Sequence, residues 1–151
     1  MESFKTTNEI LDFAIESEQE AADFYDNLAG DATEKAMRET FERFAREEKG
    51  HKARLIKIKN EGVYETTQEA ILDMKMADYL VAGPASGKMS YQDALILAMK
   101  REKAAFKLYM KLSELAPNDD LKNIFRKLAN DEARHKMNFE VEYDTIIYRG
   151  N

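Results

Sequence analysis

The sequence predicts an all-α fold, a bundle of four long helices, and three observations carry that prediction. Apolar residues recur at three- and four-residue spacing through four long stretches. Proline and glycine are sparse, at two and six in 151 residues. Alanine, glutamate, lysine, leucine and methionine, all good helix formers, are plentiful. A chain of this length suits one domain, residues 1–151, with a sizeable core.

The first helix starts at Thr6, whose spacing to Glu9 makes a capping box, and stops near Gly30. Leu11, Ala14, Ile15, Ala21, Ala22, Tyr25 and Leu28 form its apolar stripe, and Glu18 falls in the middle of it. Glu16, Glu20, Asp23 and Asp26 belong to the wet side. Asp31 with Glu34 is expected to cap a second helix running to about Asn60, where Glu61 and Gly62 break it. The connection that follows is too long for a simple turn between antiparallel neighbours. Thr66 with Glu69 is expected to cap a short helix in it, carrying Ile71, Leu72, Met76, Tyr79 and Leu80 and ended by GPASGK at 83–88. Ser90 with Asp93 opens the third long helix, to about Ala116, Pro117 and Asn118 mark a corner, and the fourth runs from Asp119 towards Tyr148. One long crossover in the middle of four helices describes a ferritin-like bundle better than a plain up-and-down one.

An internal repeat organises the chain. Glu18 matches Glu102, Tyr25 matches Tyr109, Glu48 matches Glu132 and His51 matches His135, always 84 residues apart. Leu11 and Leu95, Leu28 and Leu112, Phe41 and Phe125, and Leu55 and Phe139 keep the same offset. Two similar helix pairs joined head to tail predict a pseudo-twofold molecule.

Composition excludes several functions. A net charge of −6 with no cluster of Lys and Arg among aromatics argues against nucleic acid as a partner. The opening MESFKTTNEI lacks the basic and apolar segments of a secretory signal, and no apolar run approaches the roughly 20 residues of a membrane span, so a cytoplasmic protein is expected. The absence of cysteine rules out disulfides, a thiol nucleophile and Cys-ligated metal, leaving oxygen and nitrogen as the ligands for any metal ion. His51 and His135 are the two imidazoles of the chain.

In the second helix Met37, Phe41, Phe44, Glu48, His51 and Leu55 step by four or three, and Leu121, Phe125, Leu128, Glu132, His135 and Phe139 do the same in the fourth. Charged residues therefore occupy positions of an apolar seam. An ionised carboxylate in a bundle core costs several kcal/mol unless it is compensated. Two divalent cations would neutralise Glu18, Glu48, Glu102 and Glu132. Residues at i and i+3 share a helix face, so each Glu-x-x-His aims a carboxylate and an imidazole at one point. One Glu from each of two helices plus Glu-x-x-His from each of the other two is the ligand inventory of di-iron and di-manganese carboxylate centres. A lone Glu-x-x-His is usually a surface pair, but two in matching register within a repeat are not. Tyr25 and Tyr109, seven residues past the lone glutamates on the same face, could hold a ligand carboxylate from behind or could be ordinary core tyrosines. Glu47 and Asp131 could accept the free imidazole N–H of the opposite half's histidine or belong to a solvated face. The methionines at 74, 76, 89, 99 and 110 are expected to fill the core.

With E18-QEAADF-Y25 and E48-KG-H51 repeated as E102-KAAFKL-Y109 and E132-AR-H135, the chain resembles the rubrerythrin branch of the ferritin-like superfamily. The resemblance implies a non-haem centre of two iron ions per chain, with manganese or zinc as other occupants, and often a homodimer. Glu48 and Glu132 would bridge or chelate the metals, Glu18 and Glu102 would be further carboxylate ligands, and each histidine would bind one ion. It also implies reduction of hydrogen peroxide in oxidative-stress defence. Two departures stand out. No cysteine-rich rubredoxin-like segment follows, so electrons would come from an external electron-transfer protein. Ala105 stands one turn past Glu102, where longer members carry a further glutamate that exchanges with histidine. A ferroxidase using dioxygen or peroxide as oxidant, and a non-catalytic helical interaction module, are the alternative expectations.

Overall fold

The computed structural model describes residues 3–81 and 89–150. Its helices are α1 (Thr7–Asp31), α2 (Lys35–Glu61), the short α3 (Gln68–Asp73), α4 (Tyr91–Glu114) and α5 (Asp119–Gly150), with a 3-10 turn at Met76–Asp78. The fold is an all-α, ferritin-like bundle: α1 packs against α2 and α4 against α5, and the crossover that contains α3 joins the two pairs. Among the described residues no helix is long and apolar enough to cross a membrane.

Capping explains most of the boundaries. The Thr6 hydroxyl accepts from the Glu9 N–H at 3.1 Å, while the Glu9 carboxylate accepts from the Lys5 N–H at 3.0 Å, a capping box displaced by one residue. Ser90 accepts from the Asp93 N–H and Asn118 from the Leu121 N–H, starting α4 and α5. Gly62 ends α2 at φ +63°, a conformation that costs other residues more.

Three boundary expectations are corrected. Helix α1 continues through Gly30 to Asp31, and extended Ala32 takes the cap by donating to the Leu28 and Ala29 carbonyls. Asp31 with Glu34 does not cap α2: Glu34 makes no side-chain cap bond and instead accepts from Arg149 of α5 at 2.7 Å. In the crossover Thr67, not Thr66, accepts from the Ala70 N–H, and the helix stops at Asp73. Its continuation is broken because the Phe4 N–H donates to the Met74 carbonyl and Ser3 pairs with Lys75. Consequently Leu72 and Leu80 are exposed, although Ile71 is buried. GPASGK at 83–88 lies outside the described residues.

Two apolar clusters fill the bundle, one towards each end. One gathers Leu11, Ala14, Leu55, Tyr109, Leu112, Phe125 and Leu128; the other gathers Leu28, Tyr25, Phe41, Phe44, Leu95, Ala98 and Phe139. Adding or subtracting 84 carries Leu11, Leu55, Phe125 and Leu112 into the opposite cluster, so the sequence repeat is a spatial one. Because the start of α1 meets the end of α4 in one cluster and the reverse holds in the other, these two helices run antiparallel. Met74, Met76, Met89, Met99 and Met110 all pack in or against the clusters as filler. Each fully buried Leu or Phe contributes roughly 1.5–3 kcal/mol. Between the clusters lies a polar layer that the same burial must hold together.

Candidate metal centre

Seven buried polar residues are found among those described, and six form this layer: Glu18, Glu48, His51, Glu102, Glu132 and His135. Helical periodicity puts them there, since each occupies a seam position flanked by core residues of its own helix. The side chains fall into two overlapping groups, Glu18, Glu48, His51 and Glu132, and Glu48, Glu102, Glu132 and His135, each with one ligand atom per residue within 4.8 Å of the others. Glu48 and Glu132 belong to both.

The imidazoles face inward through Nδ1. His51 Nδ1 lies 2.9 Å from Glu18, 3.2 Å from Glu48 and 3.2 Å from Glu132. His135 Nδ1 lies 3.5 Å from Glu48, 3.5 Å from Glu102 and 3.7 Å from Glu132. Each Nε2 faces outward to the opposite pair: His51 to Asp131 at 3.0 Å and His135 to Glu47 at 3.4 Å. Carboxylates that accept from the outer nitrogen fix which nitrogen is left to bind a metal.

The tyrosines also cross between halves. Tyr25 on α1 donates to Glu102 Oε1 on α4, and Tyr109 on α4 hydrogen-bonds Glu18 on α1. Burial, then the charges of nearby carboxylates, pushes both phenols well above their usual range, so they stay protonated donors.

What remains unpaired defines the chemistry. Glu18 Oε2, Glu102 Oε2, both oxygens of Glu48, both of Glu132, and Nδ1 of each histidine are buried without a hydrogen bond. They lie close together but not in hydrogen-bonding alignment. Buried polar atoms are almost always satisfied, so eight unsatisfied ones converging on one region call for an explanation. Two divalent cations fit: the atoms are hard oxygens and imidazole nitrogens. The lone glutamates each have one free oxygen, with the other held by a tyrosine, whereas Glu48 and Glu132 have two free oxygens each and belong to both groups.

Electrostatics tell the same story for the metal-free chain. Burial pushes the Glu18 carboxyl up despite the opposing pull of His51. Burial and then the neighbouring glutamates push Glu48 and Glu132 well up. Burial pulls the His51 imidazolium down, but the Glu132 and Glu18 carboxylates close against it outweigh burial and push it up to about 11. Burial likewise raises Asp131 and Glu47, but His51 on the first, and Arg134 with His135 on the second, hold both below the usual carboxylate range.

Three features escaped the sequence reading. The Phe44 ring lies against His135 with centroids 4.1 Å apart. Arg134 donates to Glu47, and Lys127 donates to Asp131 at 3.3 Å, tying the outer carboxylates to surface cations. The register of Phe44 one turn before Glu48 could have revealed the first, and Lys127 stands four residues before Asp131 on α5, but the Arg134 contact to Glu47 follows from how α2 and α5 are juxtaposed. The third is a cavity of about 290 Å³ between α1, α4 and the crossover, which reaches Glu18, Tyr109 and Glu132. Ala105 lines it.

The sequence profile of the Rubrerythrin family matches residues 9–90 and 93–146. A solved structure of a hypothetical protein from Pyrococcus furiosus is similar, with a TM-score of 0.73 and 28% identity over 95% of this chain and 91% of that one. Among curated proteins no match is found.

Proposed function

The chain belongs to the rubrerythrin family, and from that premise we propose that it is a cytoplasmic di-iron oxidoreductase reducing hydrogen peroxide with electrons from a separate carrier protein. The observation that carries this reading is the set of eight buried, unpaired donor atoms arranged in two overlapping groups. A ferrous pair held there supplies two electrons and Lewis acidity.

The chain's own residues would prepare that chemistry. Glu48 and Glu132 span the two positions, and Glu18 with His51 and Glu102 with His135 complete them. Tyr109 and Tyr25 keep the lone carboxylates from swinging freely, by holding one oxygen of each. Asp131 and Glu47 accept hydrogen bonds from the outer imidazole N–H groups, which would leave Nδ1 as the ligand atom. The apolar clusters on either side exclude bulk water and keep every polar contact strong. Peroxide reaches the layer through the cavity beside Glu18.

Protein purified without oxygen from iron-rich cells is expected to carry two irons per chain by elemental analysis. Reduced and mixed with hydrogen peroxide, it is expected to develop ferric oxo-bridged absorption and to turn over when an electron donor is supplied. Absence of iron, or metal that does not respond to peroxide, overturns the reading.

A second reading has one observation in its favour. Glu16 and Glu20 line the same cavity, an acidic mouth that would attract ferrous iron as substrate for oxidation. Oxidation and retention of many irons per chain, without sustained peroxide loss, would replace the first reading with this one.

A further inference from the structure

The cavity beside the polar layer is larger than hydrogen peroxide requires, and one of its walls is apolar. Resting on the peroxide-reducing reading above, we propose that the preferred substrate is an organic hydroperoxide whose apolar group fills this cavity and whose O–O group points to its Glu18 and Glu132 end, with Arg101 in the wall as a hydrogen-bond donor.

Size is the first argument. Hydrogen peroxide is only slightly larger than a water, whose share of the liquid is roughly 30 Å³, whereas the cavity measures about 290 Å³. Pockets for small organic ligands begin at roughly 300 Å³. The lining is the second. Phe13, Met76, Leu80, Ala104 and Leu108 give it an apolar wall that offers no hydrogen bonds to a small polar oxidant, beside a polar side formed by Glu16, Ser17, Glu20 and Arg101.

Arg101 is the third. Its Nε is buried without an acceptor, its Nη1 is 3.6 Å from Glu20, and its Cζ rests 5.3 Å from the centre of the Phe24 ring. An N–H kept from water with no partner is unfavourable, and an acceptor oxygen on a ligand in the cavity would satisfy it. Symmetry is the fourth argument. The metal ligands obey the repeat, but the positions equivalent to Arg101 and Ala104 are Ser17 and Glu20, and the crossover forms a wall through Met76 and Leu80. Ser17 and Glu20 line the same cavity as Arg101 and Ala104, so the cavity lies between the two halves, and these unlike partners together with the crossover make its walls unequal in a way that holding metals does not require.

The reaction balances. The O–O bond of ROOH would break with two electrons supplied by a reduced metal pair at Glu18, Glu48, His51, Glu102, Glu132 and His135 and two protons drawn from the buffered solvent, so that ROOH, two electrons and two protons give ROH and H₂O. The separate electron carrier of the preceding reading would restore the two electrons.

The binding test uses zinc-loaded protein, which is redox-inert, and 2-phenylpropan-2-ol, the alcohol formed from cumene hydroperoxide. Methyl NMR signals of Met76, Ala104 and Leu108 are expected to shift saturably with added alcohol. Ala104→Leu should abolish those shifts by filling the cavity, and Leu80→Trp provides a second block from an exposed position. In iron-loaded protein either variant should lower kcat/KM for cumene hydroperoxide at least about tenfold relative to that for hydrogen peroxide. Absence of saturable shifts in the wild-type protein, or equal effects on the two oxidants in both variants, overturns the proposal. Turnover of neither oxidant by wild-type protein overturns the preceding reading as well, whereas hydrogen peroxide turnover without alcohol binding overturns this proposal alone.

Discussion

The α1–α2 and α4–α5 pairs contribute the same kinds of residue at the same spacing, yet they do not build identical halves. His51 Nδ1 sits 2.9–3.2 Å from three carboxylates, and His135 Nδ1 sits 3.5–3.7 Å from its three. His135 is wholly buried against Phe44, whereas Leu128 is the repeat partner of Phe44 and His51 keeps a sliver of exposure. The outer acceptor of His51 is the shorter Asp131 at 3.0 Å, and that of His135 is Glu47 at 3.4 Å, already engaged by Arg134. A repeat of donors thus fixes the number and type of candidate ligands, and the neighbours that differ set how tightly each half gathers them.

Removing what the halves share should have the largest effect. Glu48→Ala or Glu132→Ala takes a carboxylate from both groups, and elemental analysis after anaerobic purification should find both ions gone. Glu18→Ala or Glu102→Ala touches one group and should cost one ion per chain. Two ions retained in Glu48→Ala would break the assignment of shared ligands.

The outer carboxylates sharpen the difference between halves. Asp131→Asn should weaken binding at the His51 position about 10–100-fold, the usual effect of losing a carboxylate behind a ligand histidine. Glu47→Gln should weaken the His135 position less, since that contact is longer and shared with Arg134. Zinc competition against a chelator measures both, and a reversed order would show that packing on Phe44, not the outer acceptor, dominates.

The tyrosines test whether the halves are coupled. Tyr25→Phe should weaken the position served by Glu102, and Tyr109→Phe the one served by Glu18, each by about tenfold for a lost hydrogen bond to a charged group. An effect confined to the tyrosine's own half would contradict the crossed contacts.

Acidity gives the smallest effect. In the metal-free protein His51 keeps its proton up to about 11, against 6.5 ordinarily, so its contribution to stability is whole below pH 6.5 and is lost as the pH climbs towards 11. The raised carboxyls of Glu18, Glu48 and Glu132 act in the same direction, with stability declining as the pH rises above the ordinary 4.5. The metal-free melting temperature should therefore fall by a few degrees per kcal/mol lost between pH 5.5 and pH 9. The loaded protein should show the opposite slope, because metal binding requires deprotonated ligands. Calorimetry on both forms checks this, and His51→Asn should flatten the metal-free slope.

Much of the bundle was legible because helix periodicity is local. Thr6 and Ser90 were read as caps because a hydroxyl three residues before an N–H accepts from it wherever the chain goes. Glu34 was misread because a distant arginine, Arg149, competes for the same carboxylate. The crossover helix was overextended for a similar reason: backbone pairing of Phe4 with Met74 interrupts a stretch whose own residues favour continuation. The convergence of the four glutamates and two histidines could be anticipated, since a buried charge on each of four seams has few places to go except towards the others.

By itself the sequence determined which residues face inward, how many acidic and imidazole groups share that interior, and that the chain is two copies of one helix pair. Those properties depend on spacing along a helix, which is a matter of nearest turns. Only the tertiary structure decided that each tyrosine serves the opposite half, that Arg134 of α5 braces Glu47 of α2, and that a cavity opens on one side of the polar layer. These depend on the rotation and separation of helices that no local pattern encodes, because side chains far apart in sequence meet only after both apolar clusters have closed around them.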